Sequence, residues 1–451
     1  MASTALDSIL FRDMFGTEAM RAIFADAALV ARYLEAEVAL ARAEARTGVI
    51  PAEAAEAIAA AASSLSVDRD RMKRETENVG YPILPLVHQL AEAAGEAGRY
   101  VHWGATTQDI MDTANVLQIR AALDLVAADL DALGGILAAL AAKHRDTPMA
   151  GRTHLQQALP VTFGYKAAVW LSGIDRHRER LAQLRLRVLV GQLAGAAGTL
   201  ASLGTRGLDV QAAFCAELGL GQPAITWHVA RDAVAEAVCL LGLITGTLAK
   251  IATDIMLMMS TEFGGEVMEP FVKGRGASST MPQKRNPISS EIMLATARAV
   301  RQQVPVALDA MGHDFERATG PWHLEWLAVP EAFILTAGGL HQAKFALSGL
   351  TVDVARMRAN LDLSGGLIVA EAVMMAAAPK LGRQHAHDVV YDACRAAIAG
   401  GTTLAEALAG VPAIVDALGG AAAVARACDP ANYLGLAPVM VDRLLAARPA
   451  P

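Results

Sequence analysis

Leu123, Val126, Leu130, Leu133, Leu137 and Leu140 follow one another at steps of three, four, three, four and three residues. Only an α-helix brings residues at that spacing onto one face, and a stripe held over several turns needs other helices to cover it. The helix is expected to start near Asp109. Similar spacing runs from Ala25 to about Thr47, where Gly48 and Pro51 end it, and again from Pro51 to Val67. It recurs over roughly 158–190, 231–259, 289–311 and 330–348. No β-rich stretch competes. A chain that is 54% hydrophobic but only 5% aromatic suits close helix–helix contact, so the expected fold class is all-α.

The breaks between these patterns suggest the organisation. RDRMKRETENVGYPILPLV, beginning at Arg69, mixes charge with Gly80, Pro82 and Pro85 and is expected to be a turn-rich link. After Leu350 the pattern shortens into small helices at 353–360, 367–377 and 382–397, then Gly/Ala-rich connectors and a Pro-containing tail. A chain of 451 residues exceeds one small module. Three helical domains are expected: 1–108, a long-helix middle at 109–354, and a small part at 355–451.

Several function classes are excluded at this level. The formal charge is −7 with no basic run, which leaves no electrostatic footprint for a nucleic acid. The uncharged run VLVGQLAGAAGTLASLGT from Val188 holds four glycines plus Gln192, Thr199 and Ser202. A span needs about 20 predominantly apolar residues, so the run is read as a buried helix of a bundle or oligomer interface and no membrane is expected. Cys215, Cys239, Cys394 and Cys428 are scattered without a CxxC. The opening MASTALDSILFRDMF has no basic-then-apolar segment. A reduced, cytoplasmic protein is expected.

Three segments interrupt the helical pattern with polar chemistry. Residues 274–287, GRGASSTMPQKRNP, combine flexible glycines, hydroxyls and the positive charges of Lys284 and Arg285, which suits a mobile anion-binding loop; a helix connector has the same composition. GRTHLQQALP, from Gly151, places His154 among polar residues before an apolar helix, where a lone histidine is more often a capping or core residue than a catalyst. HWGATTQD, from His102, sets hydroxyls and an amide before a long helix, where free backbone N–H groups favour anions or are simply capped.

Together the segments resemble the signatures of the fumarase/aspartase superfamily: SSTMPQKRNP its signature loop, GRTHLQQALP its histidine segment, GATTQDIMDT its first segment, in the family's order. Within it the chain most resembles the 3-carboxy-cis,cis-muconate cycloisomerases. LEAEVALARAEARTGVIP, YVHWGATTQDIMDT, AGRTHLQQALPVTFGYK, GRGASSTMPQKRNPISS, GPWHLEW, RMRANLDLSGGLIVAEAV and DPANYLG carry that likeness over nearly the whole length. The resemblance implies a homotetramer with long helices pooled in a central bundle and active sites assembled from three subunits. It implies a small polycarboxylate substrate, and neither metal nor organic cofactor. His385 and His387 form no HExxH or full ligand set.

The superfamily's shared step removes a proton beside a carboxylate, giving an aci-carboxylate dianion, and expels a group from the neighbouring carbon, or runs in reverse. A serine can serve as base only if its alkoxide is strongly stabilised. By resemblance that base is Ser278, with Lys284 and Asn286 facing the carboxylate on which charge develops, and Ser279 and Met281 as loop neighbours at the substrate. The family's usual glycine before the serine pair is Ala277 here. His154 takes the family's histidine position, and Glu291 the carboxylate that pairs with it in several relatives. Thr106, Thr107, Gln108 and Gln157 match substrate-binding positions. Arg317 and Arg231 are candidates for an outer carboxylate, or else inter-helix ion pairs.

The expected reaction is the addition of a substrate carboxylate across a double bond of 3-carboxy-cis,cis-muconate, giving a carboxymuconolactone. A carbon–nitrogen lyase acting on aspartate-like or N-substituted succinate compounds, or a cycloisomerase of a sulfonated muconate, would use the same site. Trp326 stands where the phosphate-contacting arginine of adenylosuccinate lyases is expected, which argues against a nucleotide substrate.

Overall fold

The structure is a computed structural model and describes residues 4–317 and 319–448. It is mostly helical, as the periodicity requires, with short strands at two places. The striped helix is Thr107–Lys143, 37 residues or about 55 Å long. Leu123, Val126, Leu130, Leu133 and Leu137 are buried along it, and Leu140 is half-buried. The other long helices are Asp26–Arg46, Phe163–Val188, Asp232–Met259, Ile288–Asp309 and Pro321–Ser348.

The chain folds as two compact units. The first takes residues up to Asp131, Arg176–Leu248 and Ile292–His341; the second takes Ala132–Asp175, Ala249–Glu291 and the described chain from Gln342 onward. In the first, Tyr33, Leu40, Leu86, Ile110, Leu117, Phe214 and Trp322 pack into one core. In the second, Leu361, Val369, Val390, Leu404, Leu408 and Ile414 do so.

Four expectations are corrected. The stretch from Arg69 is helical, as Arg69–Val79 and Ile83–Ala93. The Asp68 side chain accepts the Arg71 N–H, Arg71–Glu75 and Lys73–Glu77 pair one turn apart, and Gly80 closes the first helix at φ +90. Its charges are therefore a solvated helix face, and Pro85 lies in the first turn of the second helix, where no N–H is required.

Second, the helix expected from 158 starts at Phe163. Residues ahead of it form an antiparallel hairpin, Pro148–Thr153 with Gln156–Thr162, in which Pro160, Val161 and Thr162 favour extended backbone. Third, the run from Val188 is buried over 191–195, yet after the Phe163–Val188 helix ends it is irregular, because Gly195 and Gly198 take φ +75 and +83. Fourth, the connectors beyond residue 400 are themselves helices, Leu404–Ala409, Pro412–Leu418, Ala421–Ala427 and Ala437–Ala446.

Among the described residues, two single helices, Thr107–Lys143 and Asp232–Met259, are long and apolar enough by length and composition to cross a membrane. Within the chain, 33% and 61% of their apolar windows are buried. Much of that apolar surface is thus left uncovered by this chain alone.

Candidate active site

In the first unit, the Thr107–Lys143 helix begins in a knot of hydrogen bonds around Asp109. Its Oδ2 accepts the N–H groups of Thr106 and Gly195, both at 2.9 Å. Its Oδ1 accepts the Ala194 N–H at 2.9 Å and His228 Nε2–H at 2.7 Å. The carboxylate and the imidazole are both buried. One side chain thereby joins the polar segment, the glycine-rich loop and the segment before the Asp232–Met259 helix. Thr113 adds a second tie, donating to the Gln192 carbonyl and accepting the Gln192 N–H, each at 3.0 Å.

Thr106 and Arg317 are brought together by this arrangement. The Arg317 guanidinium donates to Thr106 Oγ1 and, at 3.5 Å, to the Ala196 carbonyl. Because Thr106 Oγ1 accepts from arginine, its own O–H proton is free to donate to an anion. Thr107 is half-buried beside it.

Gln108 and Arg231 are turned away from this role. Gln108 is 1% exposed, and its amide donates to the His228 carbonyl at 2.8 Å and to Asp112 Oδ2 at 3.1 Å. Arg231 is 1% exposed and forks onto two carboxylates: Asp112 at 2.6 and 2.9 Å, Glu325 at 2.8 and 2.5 Å. Trp322 Nε1 donates to Asp112 as well, at 3.1 Å. Arg231 is therefore the inter-helix ion pair and not a ligand for an outer carboxylate, because a buried guanidinium shared by two carboxylates has no face left for a third. Burial, reinforced by Asp112, holds the Glu325 carboxyl above its ordinary range against the pull of Arg231. At the head of the segment, His102 takes φ +60 and its Nδ1 lies 2.6 Å from Oε1 of the buried Glu37.

In the second unit, His154 forms the hairpin tip with Leu155. Both take positive φ, 52 and 62, in the two-residue turn that matches strand twist. Non-glycine residues enter that region at a cost and mark a constrained position. Both side chains are exposed. Among the described residues the His154 and Glu291 side chains form no hydrogen bond within the chain; Glu291 is exposed in the first turn of Ile288–Asp309. The hairpin is anchored by Arg152, which donates to the buried Glu266 at 2.6 and 3.0 Å. Gln157 donates to the Asn360 carbonyl at 2.6 Å, and its own carbonyl oxygen is buried without a partner among the described residues.

The 274–287 loop is a small hairpin. Ala277 bridges Arg285, and the Asn286 N–H reaches the Gly276 carbonyl at 2.9 Å. Gly276 has φ +68, and a Cβ there would lie 2.5 Å from the Asn286 carbonyl oxygen, so only glycine closes the loop. Ala277 in place of the family's glycine costs nothing visible, since it lies in extended pairing with Arg285. Ser278 Oγ accepts the Met281 N–H at 3.1 Å and the Thr280 N–H at 3.4 Å. These are the donors an alkoxide needs. Ser279, Met281 and Lys284 are exposed and Asn286 half-buried.

Both loop ends are fixed. Arg275 donates to Ser289 Oγ at 2.6 Å and to Gln342 at 2.7 Å, and lies over the Phe345 ring. Arg285 donates to the Glu269 carbonyl. The Glu269 carboxylate accepts from the N–H groups of Ser289 and Ser290 at 3.1 and 2.8 Å, an anion on free helix-start donors.

Asp109, His228, Glu266 and Glu269 were not singled out from sequence as site residues. Asp109 stands inside the GATTQDIMDT segment next to Gln108, and His228 lies three residues before Arg231. Among the described residues, no group of three or more His, Cys, Asp and Glu is gathered to hold a metal.

A mostly helical scaffold, a serine whose Oγ receives backbone donors, a histidine at a hairpin tip and an arginine bonded to Thr106 are features compatible with a lyase of the fumarase/aspartase type. The chain belongs to that family: the model described as "Lyase" matches residues 14–301, and that of the "Adenylosuccinate lyase C-terminus" matches residues 366–444. It is 46% identical to 3-carboxy-cis,cis-muconate cycloisomerase of Pseudomonas aeruginosa, over 97% of this chain and 96% of that one. It is 48% identical to trans-aconitate decarboxylase 1 of Mycosarcoma maydis, over 96% and 88%. The crystal structure of a fumarate lyase from Mesorhizobium sp. BNC1 superposes with a TM-score of 0.91 at 57% identity, covering 96% of this chain and 99% of that one.

Proposed function

We propose that the protein is a cycloisomerase that converts 3-carboxy-cis,cis-muconate to a carboxymuconolactone without a cofactor. A carboxylate oxygen of the substrate adds to one carbon of a double bond, and the electron pair moves onto the carbon beside another carboxylate, giving the aci-carboxylate. Ser278 Oγ–H then delivers its proton to that carbon. The substrate's atoms are conserved, and the serine recovers its proton from solvent.

The observation that carries this reading is the pair of backbone N–H groups on Ser278 Oγ, which stabilise the oxygen as its proton leaves. In this reading Lys284 and Asn286 bind the carboxylate on which charge grows, Thr106 with Arg317 binds another, and His154 with Glu291 serves proton traffic or orientation. We further propose a cytoplasmic homotetramer with sites shared between subunits. The uncovered apolar surface of the long helices supports the assembly: Leu186, Leu243, Leu308 and Leu327 are all exposed in the single chain.

The 48% identity to a trans-aconitate decarboxylase favours a second reading, loss of CO₂ from a tricarboxylate. The test is a spectrophotometric assay of the purified protein with chelator and 3-carboxy-cis,cis-muconate, following diene absorbance and identifying the product, beside CO₂ release from trans-aconitate. Ser278→Ala is expected to lower kcat by about 100-fold or more with KM little changed. CO₂ release with no lactone would replace the cycloisomerase reading, and near-normal turnover of Ser278→Ala would remove the serine from its role.

A further inference from the structure

We infer that Lys166 is a further carboxylate-binding residue of this site, holding a third carboxylate of the substrate beside His154. The inference rests on the reading above that the substrate is a polycarboxylate, and it names the residue that selects three carboxylates over two.

Lys166 lies one turn into the Phe163–Val188 helix, facing Asp254 of the Asp232–Met259 helix. Both oxygens of Asp254 are already taken. Oδ1 accepts from Lys250 Nζ at 2.6 Å and Oδ2 from Trp170 Nε1 at 3.0 Å. Lys166 Nζ stands 3.9 Å from Oδ2, close enough for attraction but too far for a hydrogen bond. Among the described residues its three N–H donors find no acceptor in the chain. The side chain is only 27% exposed. Burial pushes the ammonium below the ordinary lysine value, with Asp254 working against it and Lys250 adding to it.

The charges do not balance. Lys166, Lys250 and Arg152 face Asp254 and Glu266, and Arg152 is neutralised by its two bonds to Glu266. The surplus positive charge resides on Lys166. A half-buried ammonium that lacks an acceptor is a costly feature unless a ligand completes it.

The space for that ligand is present. Lys166 and Lys250 line a cavity of about 310 Å³ whose walls include His154, Leu257, Met258 and Phe263. A second cavity of about 410 Å³ shares Arg152, Lys166, Lys250 and Asp254 with it. Largely apolar walls with one unsatisfied cation fit a carboxylate carried on a short hydrocarbon chain. His154 on the wall ties the cavity to the candidate active site.

The test is titration calorimetry of the assembled protein with two inert saturated acids, tricarballylate and glutarate. Both lack the double bond that the reaction uses, so their binding is read without turnover. Lys166→Met, which keeps the volume, is expected to weaken tricarballylate on the order of 10- to 100-fold, the effect of losing one charged hydrogen-bonding partner. Glutarate binding should change less than about 2-fold, and Lys166→Arg should restore much of the tricarballylate affinity.

Equal loss for both acids, unchanged tricarballylate binding, or no preference for tricarballylate in the parent protein would each overturn the inference. If Lys166→Met fails to assemble, the comparison is made with Lys166→Gln, and Lys166→Arg must then retain the preference. A protein that prefers tricarballylate through Lys166 but forms no lactone would refute the cycloisomerase reading alone.

Discussion

Asp109→Asn isolates the junction that shapes the Thr106 segment. The native carboxylate satisfies four donors, at 2.9, 2.9, 2.9 and 2.7 Å. An amide has one oxygen and one NH₂, so the two donors on one side must face nitrogen. With oxygen toward Thr106 and Gly195, the NH₂ meets Ala194 N–H and His228. The imidazole can adapt by shifting its proton to Nδ1 and accepting at Nε2, but the backbone N–H cannot. One buried N–H is then orphaned, at about 1–3 kcal/mol, and the charge-assisted histidine bond is replaced by a neutral one, at roughly 1 kcal/mol. The sum is about 2–4 kcal/mol. Relief comes by moving Ala194 and Gly195 away, which carries Ala196 and hence Arg317 off Thr106. Steady-state kinetics should show KM raised roughly 10-fold or more with a smaller change in kcat, together with a lower urea midpoint. An Asp109→Asn protein with the parent's KM and midpoint would refute the argument that this carboxylate positions the anion cradle.

Two further outcomes follow from single residues. Glu44 is fully buried with both carboxyl oxygens unpartnered among the described residues, and its pKa is pushed up to about 9 by burial and then by Glu37. Between pH 4.5 and 9 the folded chain therefore holds a proton that the unfolded chain releases, so this contribution is complete below pH 4.5 and is lost as pH rises through the window, at about 1.4 kcal/mol per pH unit. Glu44→Gln should raise the urea midpoint at pH 8 and leave it nearly unchanged at pH 4.5, and equal midpoints at pH 8 would count against a neutral buried Glu44. Gly276→Ala puts a Cβ 2.5 Å from the Asn286 carbonyl oxygen at φ +68, so kcat should fall at least about 10-fold from displaced loop donors, at a conformational cost of roughly 1–2 kcal/mol, whereas Gly274→Ala, with open space around it, should lose less.

What was legible in the sequence depended on how far apart the interacting residues lie. Helix periodicity repeats every few residues, and the six-residue leucine and valine stripe located the Thr107–Lys143 helix to within two residues of its start. The Ser278 donors come from two and three residues downstream, so a short Gly/Ser segment already carried that chemistry. Charge alone misled between Arg69 and Val79, because a solvated helix face and a polar link have the same composition until the Asp68 cap and the Gly80 stop are weighed.

The hairpin at 148–162 was hidden for a similar reason: an apolar run following a glycine and a proline reads as a helix start until Pro160 is counted as lacking a donor. Arg231 was open to either reading because its partners lie 119 and 94 residues away. No local pattern decides whether a guanidinium faces a cavity or two buried carboxylates. Asp109 and His228 are likewise 119 residues apart, and each was passed over beside a neighbour with more evident chemistry. Lys166 was missed for the opposite reason. Its neighbours Lys250 and Asp254 form an ordinary pair one turn apart, and only the third dimension shows that a second lysine shares the same carboxylate and is left with an unspent charge. Surplus charge is a property of a volume and not of a segment. The groups proposed to discriminate among substrates are therefore the hardest to read from a chain whose candidate catalytic loop can be read almost directly.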